Sequence, residues 1–307
     1  EVFRLDRHPV MSRHPSTPMH ESDLRVHLSH QTKTEIGLMS VTDLDGDDSR
    51  VDARETEILK SGPGMVLYDA LTGEHLSSVG RLIWRHGQRA PHFVIGSSGV
   101  EYALAAHWRT TGVISDQRKV YPAIKPVKQL LAVSGSASPM TAQQIDWAAN
   151  NGFDCIRIPT EKLAQPAAAE QVQRELVAQG LTSLSGGNSV LLYSARGPDD
   201  SSIQATRAQL GADKGGSARV LGSAMGRITR ELLTKSGLRR VVIAGGDTSS
   251  YATQELKLYA LEMLGQLTPG APLCRGYSDE REFDGLEIAL KGGQMGKVDY
   301  FGMVRGR

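Results

Sequence analysis

Residues 240–250 read Arg240-Val241-Val242-Ile243-Ala244-Gly245-Gly246-Asp247-Thr248-Ser249-Ser250. An apolar run rich in β-branched residues comes first, which is typical of a buried parallel strand. Two glycines follow, and then a segment whose Asp, Thr and Ser residues can begin a helix. A strand that turns through glycines into a helix is the recurring step of an open α/β sheet, in which ligands bind beyond the carboxyl ends of the strands. The stretch therefore predicts an α/β fold with a ligand site at this turn.

The chemistry of this turn suits a phosphate group. Gly245 and Gly246 have no Cβ to obstruct a phosphate, and the free N–H groups and positive end of the following helix attract anions. Asp247 can hold a water of Mg²⁺ or orient a hydroxyl, while Thr248 can donate to phosphate or cap the helix. Because a plain cap on a tight strand-to-helix turn would use the same residues, the stretch alone leaves both interpretations open.

Two further loops have the same character. Residues 133–141 read Val-Ser-Gly-Ser-Ala-Ser-Pro-Met-Thr after a predicted strand, where small hydroxyl residues such as Ser136 would face a bound phosphate. Residues 290–296 read Leu-Lys-Gly-Gly-Gln-Met-Gly and would close over a nucleotide, with Lys291 as a point charge. Alone, the first is also a Ser-rich turn capped by Thr141, and the second a surface hairpin. Three such loops in one half of the chain favour a nucleotide, which needs several converging loops.

The rest of the chain repeats the alternation of strand and helix, which predicts mainly parallel sheets flanked by helices. Strands are predicted over residues 36–41, 65–68, 93–95, 130–133, 155–158, 190–193, 241–243 and 286–290, and helices over residues 21–28, 71–84, 142–150 and 218–235, the first of them capped by Ser22 or Asp23. The polar stretch Ser115–Pro122, followed by Pro126, interrupts this pattern. We therefore expect two α/β domains, residues 1–126 and 127–307, each with a mainly parallel sheet flanked by helices.

Composition narrows the class of protein. The 307 residues, 39% hydrophobic and 22% charged, are enough for two compact domains, and a net charge of +1 gives no field that would collect nucleic acid. No run approaches the roughly 20 apolar residues that cross a bilayer. Cys155 and Cys274 stand in unrelated contexts without metal-ligand spacing, which argues against a disulfide framework or a structural metal. We expect no nucleic-acid or membrane partner, and a cytoplasmic location.

Two common nucleotide-binding folds, the P-loop fold and the dinucleotide-binding fold, are disfavoured, because no G-x-x-x-x-G-K-[ST] sequence occurs and no G-x-G-x-x-G follows a strand.

Four blocks of the sequence resemble the four-carbon acid-sugar kinases in their order and approximate spacing. They are residues 134–141, 244–249, 269–273 and 290–296. Upstream, residues 13–24 and 93–99 resemble the later part of the family's substrate-binding domain. The resemblance implies that residues 1–126 are the later part of a sugar-acid-binding domain and that residues 127–307 are a nucleotide-binding domain.

A member of this family would be an ATP-dependent kinase, assisted by Mg²⁺, that phosphorylates a terminal hydroxyl of a four-carbon or similar small sugar acid. Carried onto this chain, the family's ATP contacts are Ser136, Gly245, Gly246, Asp247, Thr248 and Gly292 or Gly293. The family loop usually reads Lys-Ser-Gly-x-Phe-Gly, and here Gly292 replaces the Ser and Met295 the Phe. A non-catalytic sensor of nucleotide or acid would carry the same loops, and a homo-oligomer is open under either interpretation.

The residues for catalysis and for the acid are narrower predictions. Asp247 is the only carboxylate inside the three phosphate loops, so it is the candidate base for the substrate hydroxyl, and a metal or ribose contact stays open for it. We assign no residue as a direct metal ligand. A carboxylate substrate would be bound by a cation or by a helix N-terminus. The candidate residues for this binding are Arg13, His14, Ser97 and Ser98.

The family's opening Asp-Asp-x-Thr-Gly signature does not occur in the chain, which starts at Glu1 instead of methionine. Asp69, in Asp-Ala-Leu-Thr-Gly, mimics the signature but lacks the paired acid and lies downstream of the block at residues 13–19. We therefore interpret Asp69 as a strand-end residue, and we expect an earlier part of the substrate-binding domain to be missing from this sequence.

Overall fold

The computed structural model describes residues 2–9, 11–13, 17–117, 120–210 and 214–306. It divides the chain into two compact units, Glu1–Lys119 and Val120–Arg307. The sequence interpretation puts the boundary near residue 126, whereas residues just before 126 belong to the second unit. Arg240 Nη1 donates a hydrogen bond to Lys125 O at 2.9 Å, and Ile124 packs against a core of that unit.

The first unit holds two parallel strands and several helices. Its elements are the short 3-10 helices Leu5–Arg7 and Met11–Arg13, then α1 (Leu24–Ser29), β1 (Ile36–Met39), α2 (Val41–Leu44), α3 (Asp48–Lys60), β2 (Met65–Tyr68), α4 (Gly73–Gly87) and α5 (Gly99–Thr110). As predicted, Asp23 caps α1, where its carboxylate accepts a hydrogen bond from Arg25 N at 2.9 Å. Met39, Val51 and Leu82 lie fully buried in the hydrophobic core of this unit.

A buried carboxylate joins three elements of the first unit. Glu55 on α3 is 1% exposed, and it accepts a hydrogen bond from Tyr68 Oη of β2 at 2.6 Å. It also forms an ion pair with Arg85 of α4, and His86 Nε2 lies 3.2 Å from its Oε1 atom. Burial, with Glu55 beside the hydroxyl, raises the pKa of Tyr68. Nothing in the spacing of these residues along the chain indicates this cluster.

The predicted strand at residues 93–95 is wrong. These residues form no strand in the structure, and the side chains of Phe93 and Ile95 are 94% and 92% exposed. An apolar run becomes a strand only where a neighbouring strand takes up its backbone hydrogen bonds. Within the described residues, the sheet of this unit consists of β1 and β2.

The second unit is a larger α/β structure. Its elements are β3 (Leu131–Ser134), α6 (Pro139–Ala149), β4 (Phe153–Arg157), α7 (Thr160–Leu163), α8 (Pro166–Ser185), β5 (Ser189–Tyr193), α9 (Ser201–Leu210), α10 (Lys214–Ser236), β6 (Arg240–Ala244), α11 (Gly246–Glu255), β7 (Leu258–Thr268), β8 (Ala271–Ser278), β9 (Glu287–Lys291) and α12 (Tyr300–Arg305). Seven strands form one sheet in the order β4-β5-β3-β6-β9-β8-β7. The neighbours from β4 to β9 are parallel, and the β9–β8 and β8–β7 pairs are antiparallel. Among the described helices of the whole chain, none has both the length and the apolar character that a bilayer span requires.

Helices cover both faces of this sheet. Alternate side chains of a strand point to opposite faces, and on β3 the residues Leu131 and Val133 enter one buried cluster while Ala132 enters another. Ile228 of α10 belongs to the first cluster and Ile145 of α6 to the second. A strand buried on both faces needs a near-continuous apolar run, which is why such runs correctly predict the parallel strands here.

The hairpin of β7 and β8 is not predicted from the sequence. Tyr259 and Leu261 on β7 are 67% and 46% exposed, and the pairing of the two strands contains register shifts. β7 therefore lacks the buried apolar run that marks β3, β5 and β6. The turn between them contains Gly270, whose φ of +75° lies in the left-handed region that favours glycine.

Candidate functional site

The three predicted loops meet at one edge of the large sheet. β3, β6 and β9 are adjacent parallel strands, and in their pairing Ser134 lies opposite Ala244, which lies opposite Lys291. We call the segments that follow them the serine loop (residues 135–138), the aspartate turn (residues 245–248) and the glycine loop (residues 292–296). Gly135 N donates to Ala244 O and Gly245 N donates to Lys291 O, each at 2.9 Å, so the backbones of the three loops start in contact.

The aspartate turn leads directly into α11. Gly245 has a φ of +118°, which a residue with a side chain rarely adopts, and it is the N-cap of α11. A glycine cap has no side chain to accept hydrogen bonds from the first N–H groups of the helix, and these have no partner within the helix itself. The start of α11 therefore offers backbone donors and a positive dipole end to an anion.

Close approach between the serine loop and the aspartate turn also depends on glycine. A Cβ built on Gly135 would lie 1.8 Å from Thr248 Oγ1. Thr248 is buried, whereas Gly246 and Asp247 are exposed on the surface of the turn. The carboxylate of Asp247 makes no hydrogen bond or ion pair with the described residues, so it is available to a ligand.

The glycine loop is fastened to the serine loop. Gly293 O accepts a hydrogen bond from Ser138 Oγ at 2.5 Å and lies 2.9 Å from Thr141 Oγ1. A Cβ built on Gly293 would lie 2.4 Å from Ser136 Oγ, whereas one built on Gly292 would meet Met295 Sδ at 3.2 Å. Gly293 is therefore needed for this packing. Its predicted contact with ATP, and that of Gly292, stays a prediction.

The cap of α6 differs from the one predicted. The N-cap is Ser138, whose Oγ accepts a hydrogen bond from Thr141 N at 3.1 Å, with Pro139 at the start of the helix. Thr141 is instead fully buried, and its hydroxyl contacts Gly293 O and Ser136 Oγ. The sequence marked Thr141 as a helix cap and gave no sign that it bridges two loops.

Lys291 is buried, and its ammonium group does not project from the loop as a point charge. Its exposure is 1%, and Nζ donates to Thr141 Oγ1 at 3.3 Å, to Gly292 O at 3.1 Å and to Gly293 O at 3.2 Å. Burial lowers the pKa of Lys291 to about 8. The Lys291 side chain thus stabilises the glycine loop by donating hydrogen bonds to two of its carbonyl groups.

The acid-site candidates lie in the first unit. Ser97 and Ser98 are exposed and directly precede α5, and Ser97 Oγ accepts a hydrogen bond from Gly99 N at 3.5 Å. Ser98 is the N-cap of α5, but its side chain makes no capping hydrogen bond with the described residues. Arg13 ends a 3-10 helix, and His14 lies outside the described residues. Asp69 follows β2 directly, as a strand-end residue does, and its N–H donates to Met39 O at 3.0 Å.

This arrangement defines a class of protein. A mainly parallel sheet, three small-residue loops at its carboxyl edge and an uncapped helix N-terminus between them are the features of an α/β protein that binds phosphate groups. Residues 131–301 match the family model described as a nucleotide-binding C-terminal domain, and residues 2–104 match one described as a sugar-binding N-terminal domain. The chain belongs to the four-carbon acid-sugar kinase family.

Individual relatives agree with this assignment. The chain is 44% identical to a 3-oxo-isoapionate kinase of Paraburkholderia graminis over 99% of its own length, and 30% identical to a 3-oxo-tetronate kinase of Pseudomonas fluorescens over 97%. It spans 64% of the length of each of these relatives. Crystal structures of proteins from Haemophilus influenzae and Salmonella typhimurium LT2 share the fold, with TM-scores of 0.61 and 0.69, identities of 24% and 22%, and coverage of 98% of this chain and of 67% and 66% of theirs.

Proposed function

We propose that this chain binds ATP where the serine loop, the aspartate turn and the glycine loop meet, and that the protein transfers the γ-phosphate to a terminal hydroxyl of a four-carbon or similar small sugar acid. The observation that carries the proposal is the start of α11, which follows the left-handed Gly245 without a side-chain cap and lies between two hydroxyl-bearing and glycine-bearing loops. Phosphoryl transfer needs mainly positioning and charge neutralisation, which such a site supplies.

Each predicted contact has a chemical role in this proposal. The backbone N–H groups of Gly246, Asp247 and Thr248 donate to phosphate oxygens, because they are the first donors of α11. Gly245 lets the chain turn closely beneath the phosphates. Ser136 Oγ donates to a further phosphate oxygen, and Gly292 and Gly293 lie along the nucleotide as the backbone of the glycine loop.

Asp247 fits Mg²⁺ as well as it fits a base. Mg²⁺ is usually held by one or two carboxylates together with substrate phosphates and waters, and Asp247 is an exposed, unpartnered carboxylate in the first turn of the helix that would face the phosphates. When bound, Mg²⁺ neutralises charge on the phosphate oxygens. Asp247 either orients the waters of that ion or accepts the proton of the attacking hydroxyl, and both roles require its negative charge.

The acid substrate would use the first unit. The two relatives named above act, by their names, on 3-oxo-isoapionate and 3-oxo-tetronate, and the identity of 44% with the first supports an acid of that size here. Arg13, His14, Ser97 and Ser98 remain our candidates for the acid, since an open helix N-terminus such as that of α5 attracts a carboxylate. A cytoplasmic location fits the two free cysteines, and light scattering would test for a homo-oligomer.

An ATP-consumption assay with Mg²⁺ on the native protein, across a panel of four-carbon and branched sugar acids, tests the proposal. Asp247→Ala and Asp279→Ala are the matched pair, because Asp279 is also exposed but follows β8, at the opposite edge of the sheet. Turnover of one acid that is lost in Asp247→Ala and kept in Asp279→Ala supports the kinase. ATP binding without turnover of any acid favours a non-catalytic sensor, and absence of ATP binding refutes the site.

A further inference from the structure

The buried polar groups beneath the serine loop form one hydrogen-bonded set, and their protons can be counted. The ammonium of Lys291 has three donors, and three acceptors surround it, namely Thr141 Oγ1, Gly292 O and Gly293 O at 3.1–3.3 Å. All three protons are therefore used inside the protein. Among the described residues, no carboxylate forms an ion pair with this ammonium.

The two hydroxyls next to Lys291 have more than one arrangement of their protons that leaves no acceptor overfilled, and the distances from Ser138 Oγ to its two acceptors choose between them. Ser138 Oγ is 2.5 Å from Gly293 O, the shorter of its two donor contacts, so its proton goes to that carbonyl. Gly293 O already accepts from Lys291, and a carbonyl oxygen has two lone pairs. The proton of Thr141 Oγ1 therefore goes to Ser136 Oγ, 3.1 Å away.

Ser136 is where this set of hydrogen bonds ends. Its Oγ accepts from Thr141 Oγ1 and from Ser138 N, the latter at 3.2 Å, which fills both lone pairs. Its own proton has no acceptor among the described residues, although the side chain is only 7% exposed. A hydroxyl that must donate but has no internal partner marks the place where a ligand oxygen fits.

We propose that Lys291 acts on the bound nucleotide through Thr141 and Ser136: the ammonium polarises the two hydroxyls in series and orients Ser136 as a hydrogen-bond donor to a phosphate oxygen. This rests on the proposed ATP site. Hydrogen bonds in a chain polarise one another, and donors assisted by a charge bind more strongly than neutral ones. Lys291 is thus a positioning residue, since Ser136 touches the ligand and the lysine does not.

The charge balance around Lys291 favours the same conclusion. Burial lowers its pKa to about 8, so the protein bears a cost for keeping this ammonium charged. No carboxylate on the neighbouring elements forms an ion pair with Lys291, since Asp146 of α6 pairs with Arg196 and Glu287 of β9 pairs with Arg240. The other titratable or charged groups there are Asp247 beyond β6, Cys274, Arg275 and Tyr277 on β8, and Tyr300 and Arg305 on α12. An anion bound at Ser136 would supply the missing negative charge.

A double-mutant cycle separates this relay from simple anchoring of the glycine loop. We would measure the affinity of the full chain for Mg²⁺-ATP by calorimetry in wild type, Lys291→Met, Ser136→Ala and the double variant. Lys291→Met should weaken binding about tenfold, or about 1.4 kcal/mol, when Ser136 is present. In the Ser136→Ala background, Lys291→Met should lower the affinity for Mg²⁺-ATP by less than about twofold, because the hydroxyl through which the lysine acts is already absent. If the lysine only anchors the loop, Lys291→Met would lower the affinity by the same factor in both backgrounds, and that result overturns the proposal.

Thr141 supplies a second test that does not depend on removing a buried charge. Thr141→Val keeps the shape but breaks the relay, and Thr141→Ser keeps the hydroxyl as its matched control. We expect Thr141→Val to resemble Lys291→Met and Thr141→Ser to bind within about twofold of wild type. If Lys291→Met does not fold, judged by its circular-dichroism melt, this pair in both Ser136 backgrounds decides the question. Wild type that binds no ATP refutes the proposed function and the relay together, whereas binding with additive effects refutes the relay alone.

Discussion

Gly246→Ala should separate nucleotide binding from stability. Gly246 is the first residue of α11, and a Cβ built on it meets no described atom within 4 Å. The methyl group therefore disturbs nothing in the protein, and alanine favours a helix over glycine by up to about 1 kcal/mol. The free energy of unfolding should stay unchanged or rise slightly.

The same methyl group would stand where we propose that a phosphate approaches the backbone. Loss of one hydrogen bond to a charged group costs about 1.5–3 kcal/mol, so affinity for Mg²⁺-ATP should fall roughly tenfold to a hundredfold. Urea unfolding and isothermal titration calorimetry would measure the two quantities on the same variant. Gly73→Ala is the control, because Gly73 is the first residue of α4 and also has open space around its Cβ position. Unchanged ATP affinity in Gly246→Ala would refute the idea that a phosphate lies against this turn.

Three other changes have expected outcomes. Gly135→Ala puts a Cβ 1.8 Å from Thr248 Oγ1 and should destabilise the chain by about 1–3 kcal/mol or more, and a melting temperature equal to that of wild type would contradict this geometry. Because burial lowers the pKa of Lys291 from its usual 10.5 to about 8, the unfolded chain binds more protons between these pH values, and stability should rise with pH there by at most about 1.4 kcal/mol per pH unit. Over the same pH range the affinity of wild type for ATP should fall as the ammonium deprotonates, whereas the affinity of Lys291→Met should not change with pH. The same pH dependence of ATP affinity in wild type and variant would contradict the relay. Glu55→Gln removes the buried negative charge beside Arg85, which keeps its ion pair with Asp52, and should destabilise the chain by about 1.5–3 kcal/mol, measured by urea unfolding against Glu57→Gln, whose side chain is 67% exposed.

Local sequence patterns were sufficient wherever burial alone decides the structure. The runs around Val190 and Val241 predict parallel strands, because a strand covered on both faces must be apolar along its length. The same reasoning fails at Phe93, which lies exposed, and misses β7, whose side chains alternate poorly between inside and outside. In both cases the outcome depends on a neighbouring strand that an apolar count does not contain.

The site divides in a similar way. Glycines and hydroxyl residues after strands identify the three loops, since close backbone approach excludes a Cβ and phosphates need small donors. The direction of the Lys291 side chain could not be predicted, because a lysine at a loop can equally reach outward to a ligand or inward to carbonyl groups. The inward direction that Lys291 takes depends on Thr141, which accepts its hydrogen bond and is 150 residues away in the sequence.

Residue type and local spacing were enough to predict the alternation of strand and helix, the family and the three loops that carry small residues. The folded chain alone shows that β3, β6 and β9 are neighbours, because β4, β5, β7 and β8 lie between them in the sequence. The folded chain also brings Thr141 of α6 and the glycine loop to the same buried ammonium, that of Lys291. Strand order, burial and hydrogen-bond partners arise from contacts between segments far apart in sequence, and no local pattern encodes such contacts.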